Sequence, residues 1–180
     1  MNNLNKSLEV KQNVVLDRLT KMITSGYFRL GESLSEREIA NLLGVSRTPV
    51  RDAFRRLENE GLLTYEPKRG VTIRSFTTKE IIDLYRVREY LEGLMARAMT
   101  ENKDILLLQQ MKENVIEAEV AANNFDVKKQ VVINDQFHEL LAKGAKNDYL
   151  SNMFIPLRAQ ISLLRSTSLS YQDRSLINIV

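Results

Sequence analysis

Arg47, Thr48, Arg51 and Arg55 recur at spacings that place them on one flank of a helix, away from a stripe formed by Val50, Ala53, Phe54 and Leu57. An arginine fork can bond bidentately to the O6 and N7 edge of guanine, and a threonine hydroxyl can reach a base or a phosphate. Such a reader needs its cationic end exposed where the positive end of the peptide dipole favours phosphate, and its other face buried. Residues 46–57 supply both.

Other chemistry is poorly represented. The 180-residue chain has no cysteine and one histidine, His138. Disulfides, thiolate nucleophiles, zinc fingers, the HExxH motif and all multi-histidine sites within the chain are therefore excluded. Neither a Gly-x-Ser-x-Gly elbow nor a Gly-x-Gly-x-x-Gly fingerprint occurs, and Gly26 to Gly31 is followed by Glu32-Ser33, where a phosphate loop needs lysine. An enzyme is not expected. The longest apolar run, Ile105 to Leu108, is four residues, so no membrane partner is expected, and the cysteine-free composition suits a reducing cytoplasm.

The elements that would carry the arginines follow from local pattern. Val10, Val14, Val15, Leu19, Met22 and Ile23 predict a helix over 8–26. Ser35 and Glu38 have capping-box spacing for a short helix that buries Ile39, Leu42 and Leu43. Gly44-Val45-Ser46 then makes a turn, with Ser46 as N-cap of the next helix and Pro49 in its first turn, where a missing N–H costs least. Two short helices joined in this way form a helix-turn-helix pattern. Residues 62–66 and 71–74 read as strands around Pro67-Lys68-Arg69-Gly70. That hairpin tip is either an ordinary solvated turn or the wing of a winged helix, and its place directly after the helix-turn-helix favours the wing.

Charge divides along the same line. Residues 1–75 carry 13 basic and 9 acidic side chains, whereas 76–180 carry 13 and 14. The excess positive charge lies in the first module, as a polyanionic partner requires. With 7 glycines and 3 prolines, the chain favours helices over hairpin-rich folds.

The stretch Arg29 to Ala40, then Leu43 to Ala53, then Leu57-Glu58-Asn59-Glu60-Gly61-Leu62-Leu63 and Pro67 to Val71 resembles the GntR family of bacterial transcription regulators. The resemblance implies contacts to double-stranded operator DNA from Arg37, Arg47, Thr48 and Arg51, with Gly70 at a wing tip that enters the minor groove. Ser46, Lys68 and Arg69 join this expected interface. It also implies a homodimer on a near-palindromic operator. A winged helix kept for protein contacts or for RNA is the alternative.

From Thr77 the pattern is helical throughout, with segments near 77–99, 104–122, 127–143 and 147–166, the last interrupted near Pro156. The fold expected is mainly α: a winged helix-turn-helix with a small β-hairpin over 1–75, then an all-α antiparallel bundle over 76–180. Leu84 to Glu92, Asn134 to Leu141 and Asn147 resemble the ligand-sensing FadR-type (FCD) domain. That resemblance implies an effector-binding bundle that often holds a divalent metal, such as zinc, through an aspartate four residues before a histidine and two later histidines. Here His138 matches the first histidine, Asn134 stands at the aspartate position, and no later histidine occurs, so His138 is either an incomplete metal site or a hydrogen-bonded bundle histidine. Arg88 has two readings as well: an ion pair with Glu92 at i, i+4, or an anchor for the carboxylate of an organic-acid effector. Beside the family, the chain reads as shortened at its C-terminus, which would leave apolar helix surface uncovered and effector sensing impaired.

Overall fold

The computed structural model describes residues 2–177, and the surroundings of side chains 13–127 and 129–166. Helices α1 (Asn2–Thr24), α2 (Glu36–Leu43) and α3 (Arg47–Asn59) precede strands β1 (Leu63–Glu66) and β2 (Gly70–Ile73). Then come α4 (Thr78–Asn102), α5 (Ile105–Asn123), α6 (Val127–Ala145) and α7 (Asp148–Ile177). A winged helix-turn-helix is thus followed by helices alone, the architecture expected from the sequence.

In the first compact unit, the apolar stripes of three helices meet. Val15, Leu19 and Ile23 of α1, Ile39, Ala40 and Leu43 of α2, and Val50, Ala53, Phe54 and Leu57 of α3 form one buried cluster with Leu62, Leu63 and Ile73. The helical turn is closed by Gly44, whose φ of 68° few residues with a Cβ adopt, and Val45 packs against the cluster from the turn. Leu42 departs from expectation: it is 49% exposed, because Ile39, Ala40 and Leu43 already fill the inward face of an eight-residue helix. Ser35 takes the N-cap position, but its hydroxyl makes no cap hydrogen bond, and Glu36 in the first turn pairs with Arg47 instead.

The two strands pair antiparallel, Leu63 opposite Ile73 and Glu66 opposite Gly70. The segment before α2 adds a third edge that periodicity does not reveal. Gly31 N–H donates to Ile73 O at 2.9 Å, Ile73 N–H to Glu32 O at 2.8 Å, and Leu34 N–H to Val71 O at 2.8 Å. The wing is therefore fixed along its length to the chain that leads into the helix-turn-helix.

The same unit also takes in the chain from Pro156 onward, while the second unit spans Lys79–Ile155. The physical link is within α7, where fully buried Leu163 joins the winged-helix cluster, Ala159 packs against it, and Gln160 Nε2 donates to Glu60 O at 2.8 Å. Gly61, with φ at 72°, fits beneath these groups, since a Cβ there would lie 2.6 Å from Gln160 Nε2 and 2.7 Å from Arg74 Nη1. A division of the chain near Ser75 assigns this part of α7 elsewhere. Pro156 does not interrupt α7, which continues through it as a helix.

In the second unit, α5 and α6 form an antiparallel hairpin. Asp104 and Asp126 cap their N-termini through Leu107 N–H at 3.3 Å and Lys129 N–H at 2.9 Å. Lys146 and the Leu107 N–H hold the Asp104 carboxyl below the ordinary carboxylate range, the lysine contributing most. Asn102 at the end of α4 donates to Gly144 O and Ala145 O, both at 3.0 Å, and so satisfies carbonyls at the end of α6. Met99 packs against Gly144, where a Cβ would lie 2.6 Å from its side chain. Only Leu84, Met95 and Met99 of α4 are buried, while the apolar Ile82, Tyr85, Val87 and Leu94 are exposed in this chain.

Candidate nucleic-acid interface and bundle site

Helix α3 sorts its residues as a groove reader must. Val50, Ala53, Phe54 and Leu57 are buried, while Ser46, Arg47, Thr48, Arg51 and Arg55 are exposed. Ser46 stands at the N-cap with extended backbone, φ −73° and ψ 167°, and its hydroxyl makes no cap hydrogen bond. Arg47 Nη2 donates to Glu36 Oε2 at 3.1 Å, which brings the starts of α2 and α3 together, and Arg37 of α2 is exposed. This ion pair is mostly exposed on the arginine side, so breaking it costs at most about 1 kcal/mol. Arg18, which the sequence pattern does not single out, donates to Leu43 O at 3.3 Å and holds α1 to the C-terminus of α2.

The wing's two cations differ. Lys68 is exposed at φ 70°, and Gly70 follows at φ 76° with open space where a Cβ would stand. Arg69 is turned back onto the scaffold: Nη1 donates to Glu66 Oε2 at 3.0 Å and Nη2 to Gly31 O at 2.5 Å. It braces the base of the wing, leaving Lys68 and Gly70 at the tip.

In the bundle, Arg86 and Arg88 of α4 part company. Arg86 is exposed near Asp83, whereas Arg88 is largely buried and donates from Nε to Glu92 Oε1 at 2.6 Å. Arg88 Nη2 also hydrogen-bonds His138 Nε2 from α6, and His138 Nδ1 lies 2.9 Å from the same Glu92 oxygen. The His138 ring is 6% exposed and sits against Phe137 and Phe154. The spacing of Arg88 and Glu92 foretells their ion pair, but not the histidine 50 residues away that completes the triad. Asn134, one turn before His138, has a buried Nδ2 without a hydrogen-bond partner among the described residues.

The divalent metal suggested by the family does not fit this donor set. His138 Nε2 already receives a guanidinium N–H, Asn134 is neutral, and among the described residues no group of three or more histidines or carboxylates could hold a metal ion. No helix of the described residues is long and apolar enough to cross a membrane.

Fold and exposed reader define a winged-helix protein with an appended helical domain. The family model for bacterial regulatory proteins of the gntR family matches residues 11–73, and that for the FCD domain matches 83–178. The chain belongs to the GntR family, in its FCD-containing branch, a family of transcriptional regulators rather than enzymes. It is 35% identical over 138 residues to the HTH-type transcriptional regulator YdhC of Bacillus subtilis, covering 76% of this chain and 62% of that one. It is 34% identical over 126 residues to an HTH-type transcriptional regulator from the TAR-I ttuE-ttuC' intergenic region of Agrobacterium vitis, covering 68% and 74%. The chain thus spans about three fifths of the Bacillus relative's length. Among solved structures, Escherichia coli McbR/YncC shares the fold with a TM-score of 0.73 at 22% identity, covering 91% of this chain and 75% of that one.

Proposed function

We propose that this chain is a DNA-binding transcriptional regulator of the bacterial cytoplasm that reads a near-palindromic operator as a homodimer. A small organic-acid effector in the helical domain modulates its affinity. The observation that carries the reading is the division of α3 into a buried apolar face and an exposed row of Arg47, Thr48 and Arg51 at its N-terminal end. Arg37 and the wing tip at Lys68 and Gly70 supply further contacts, Arg37 and Lys68 to phosphate. Fluorescence anisotropy with a duplex from the chain's own upstream region, at two salt concentrations, tests it. Saturable binding that weakens steeply with salt is expected. A duplex bound no better than a single-stranded RNA of the same sequence overturns the reading.

Support for the dimer comes from α4. One exposed face carries Val87, Tyr90, Gly93 and Leu94 between a Lys79–Asp83 pair at one end and an Arg97–Glu101 pair at the other. Lys79 and Glu101 are equally far from Tyr90 along the helix, as are Asp83 and Arg97. An antiparallel copy turned about a two-fold at Tyr90 therefore sets opposite charges against each other over an apolar centre. Leu94→Glu places a charge in that centre and is expected to convert the dimer to monomer in sedimentation velocity. Operator affinity should then fall about 10²- to 10⁴-fold, because two half-sites no longer bind as a linked pair. A Leu94→Glu protein that remains dimeric shows that this face is not the interface.

Support for an acidic effector is Arg88, whose Nη1 group makes no hydrogen bond among the described residues and so has donors left for a carboxylate. Operator affinity would then respond to effector through a coupling free energy between the two sites.

A further inference from the structure

We infer that Arg88 is the built-in cation of this bundle: its guanidinium holds Glu92 and His138 in place, and the Asn134–His138 pair binds no metal. The Arg88 contact sets the tautomer. A guanidinium can only donate, so the Arg88 Nη2 contact requires a lone pair on His138 Nε2. The ring proton then sits on Nδ1, which lies 2.9 Å from Glu92 Oε1 without the alignment of a hydrogen bond to that oxygen. Arg88 Nε closes the triangle by donating to that same oxygen at 2.6 Å.

A metal would need the Nε2 lone pair, and at that spot it would meet a permanent positive charge on a side chain 15% exposed. Displacing Arg88 would strip Glu92 of its main partner. The neighbouring ligand position offers no compensation, since Asn134 brings no negative charge to offset a divalent cation. The triad also accounts for a histidine that is buried although it completes no cluster of metal-binding type. His138 is a positioning residue: it joins α6 to α4 through Arg88 and Glu92, as a shared metal ion would.

Because His138 is the chain's only histidine, its ring nitrogens can be read in the intact protein without assignment ambiguity. Long-range ¹H–¹⁵N correlation near neutral pH is expected to show a protonated, pyrrole-like Nδ1 and an unprotonated, pyridine-like Nε2. This is the reverse of the tautomer that free histidine prefers. Excess Zn²⁺ or Mn²⁺ should leave both resonances in place and leave Tm unchanged. A metal held at a hundredfold excess over its Kd would raise Tm by about 5–10 °C. An Nε2-protonated ring, a metal-dependent shift or broadening of either nitrogen, or a rise in Tm with metal overturns the inference. Arg88→Met, which removes the guanidinium and keeps the apolar stem, should return the ring to the Nε2-protonated form. An unchanged tautomer in that variant would show that Arg88 does not set it. The wild-type spectra decide the metal question whether or not the variant folds.

Discussion

Arg51→Ala is expected to weaken operator binding by about 1–3 kcal/mol, a loss of roughly 5- to 150-fold, and to relax selectivity at one base pair of each half-site. The expectation rests on how differently the exposed cations are held before DNA arrives. Arg51 lies one turn into α3 beside buried Val50 and makes no ion pair or hydrogen bond among the described residues. A contact from it to a base edge would therefore replace only water. Arg47 must first leave Glu36, so part of its gain offsets a lost pair, and Arg47→Ala should cost less than Arg51→Ala. Lys68→Ala, at the wing, should weaken all duplexes alike and lower the slope of log K against log salt by about one, as a phosphate contact does. Arg69→Ala should act mainly on the wing, since its fork is spent on Glu66 and Gly31. Anisotropy titrations against matched and single-mismatch duplexes distinguish these patterns. A uniform loss for Arg51→Ala across all sequences would remove it from the base-reading set.

The helix-turn-helix was legible because the features that build it are local. A 3.6-residue apolar period, a turn glycine at Gly44 and a serine N-cap at Ser46 each act over a few residues, and their order fixes the helix-turn-helix. The wing hairpin is legible for the same reason. Its third edge is not, because residues 31–34 join β2 through backbone hydrogen bonds, which carry no side-chain signature. Leu42 was misplaced because periodicity marks several apolar residues of a short helix as inward-facing without saying how many the core can accept. The bundle site shows the same limit from the other direction. Spacing along α4 pairs Arg88 with Glu92, but whether His138 is an incomplete metal site or a hydrogen-bonded partner of that pair depends on how α6 docks. The geometry brings a guanidinium to the histidine that the resemblance left as an incomplete metal site.

The largest stability effect is expected far from the reader in sequence. Leu163→Ala should destabilise the winged helix by about 2–5 kcal/mol, although Leu163 lies in α7. It is fully buried in the same cluster as Leu19, Ile23 and Leu57, and truncation would leave a cavity that rigid helices on all sides cannot close. Nearby groups strengthen the case. Gln160 ties α7 to the end of α3 through Glu60 O, and Gly61 leaves room for that contact only by having no side chain. At about 2–4 °C per kcal/mol for a chain of this size, the variant should melt at least about 4 °C lower. Leu106→Ala, at a site 77% exposed, is the matched control and should stay within about 0.5 kcal/mol of wild type. Amide exchange locates the damage: protection should fall in α1 and α3 of Leu163→Ala while operator binding in the cold persists, because none of the residues proposed to face DNA has changed. Equal melting temperatures for the two variants would mean that α7 does not complete the winged-helix core. A fragment ending near Ser75 would then be as stable as the same residues in the whole chain; otherwise it lacks Ala159 and Leu163 and should be the less stable of the two.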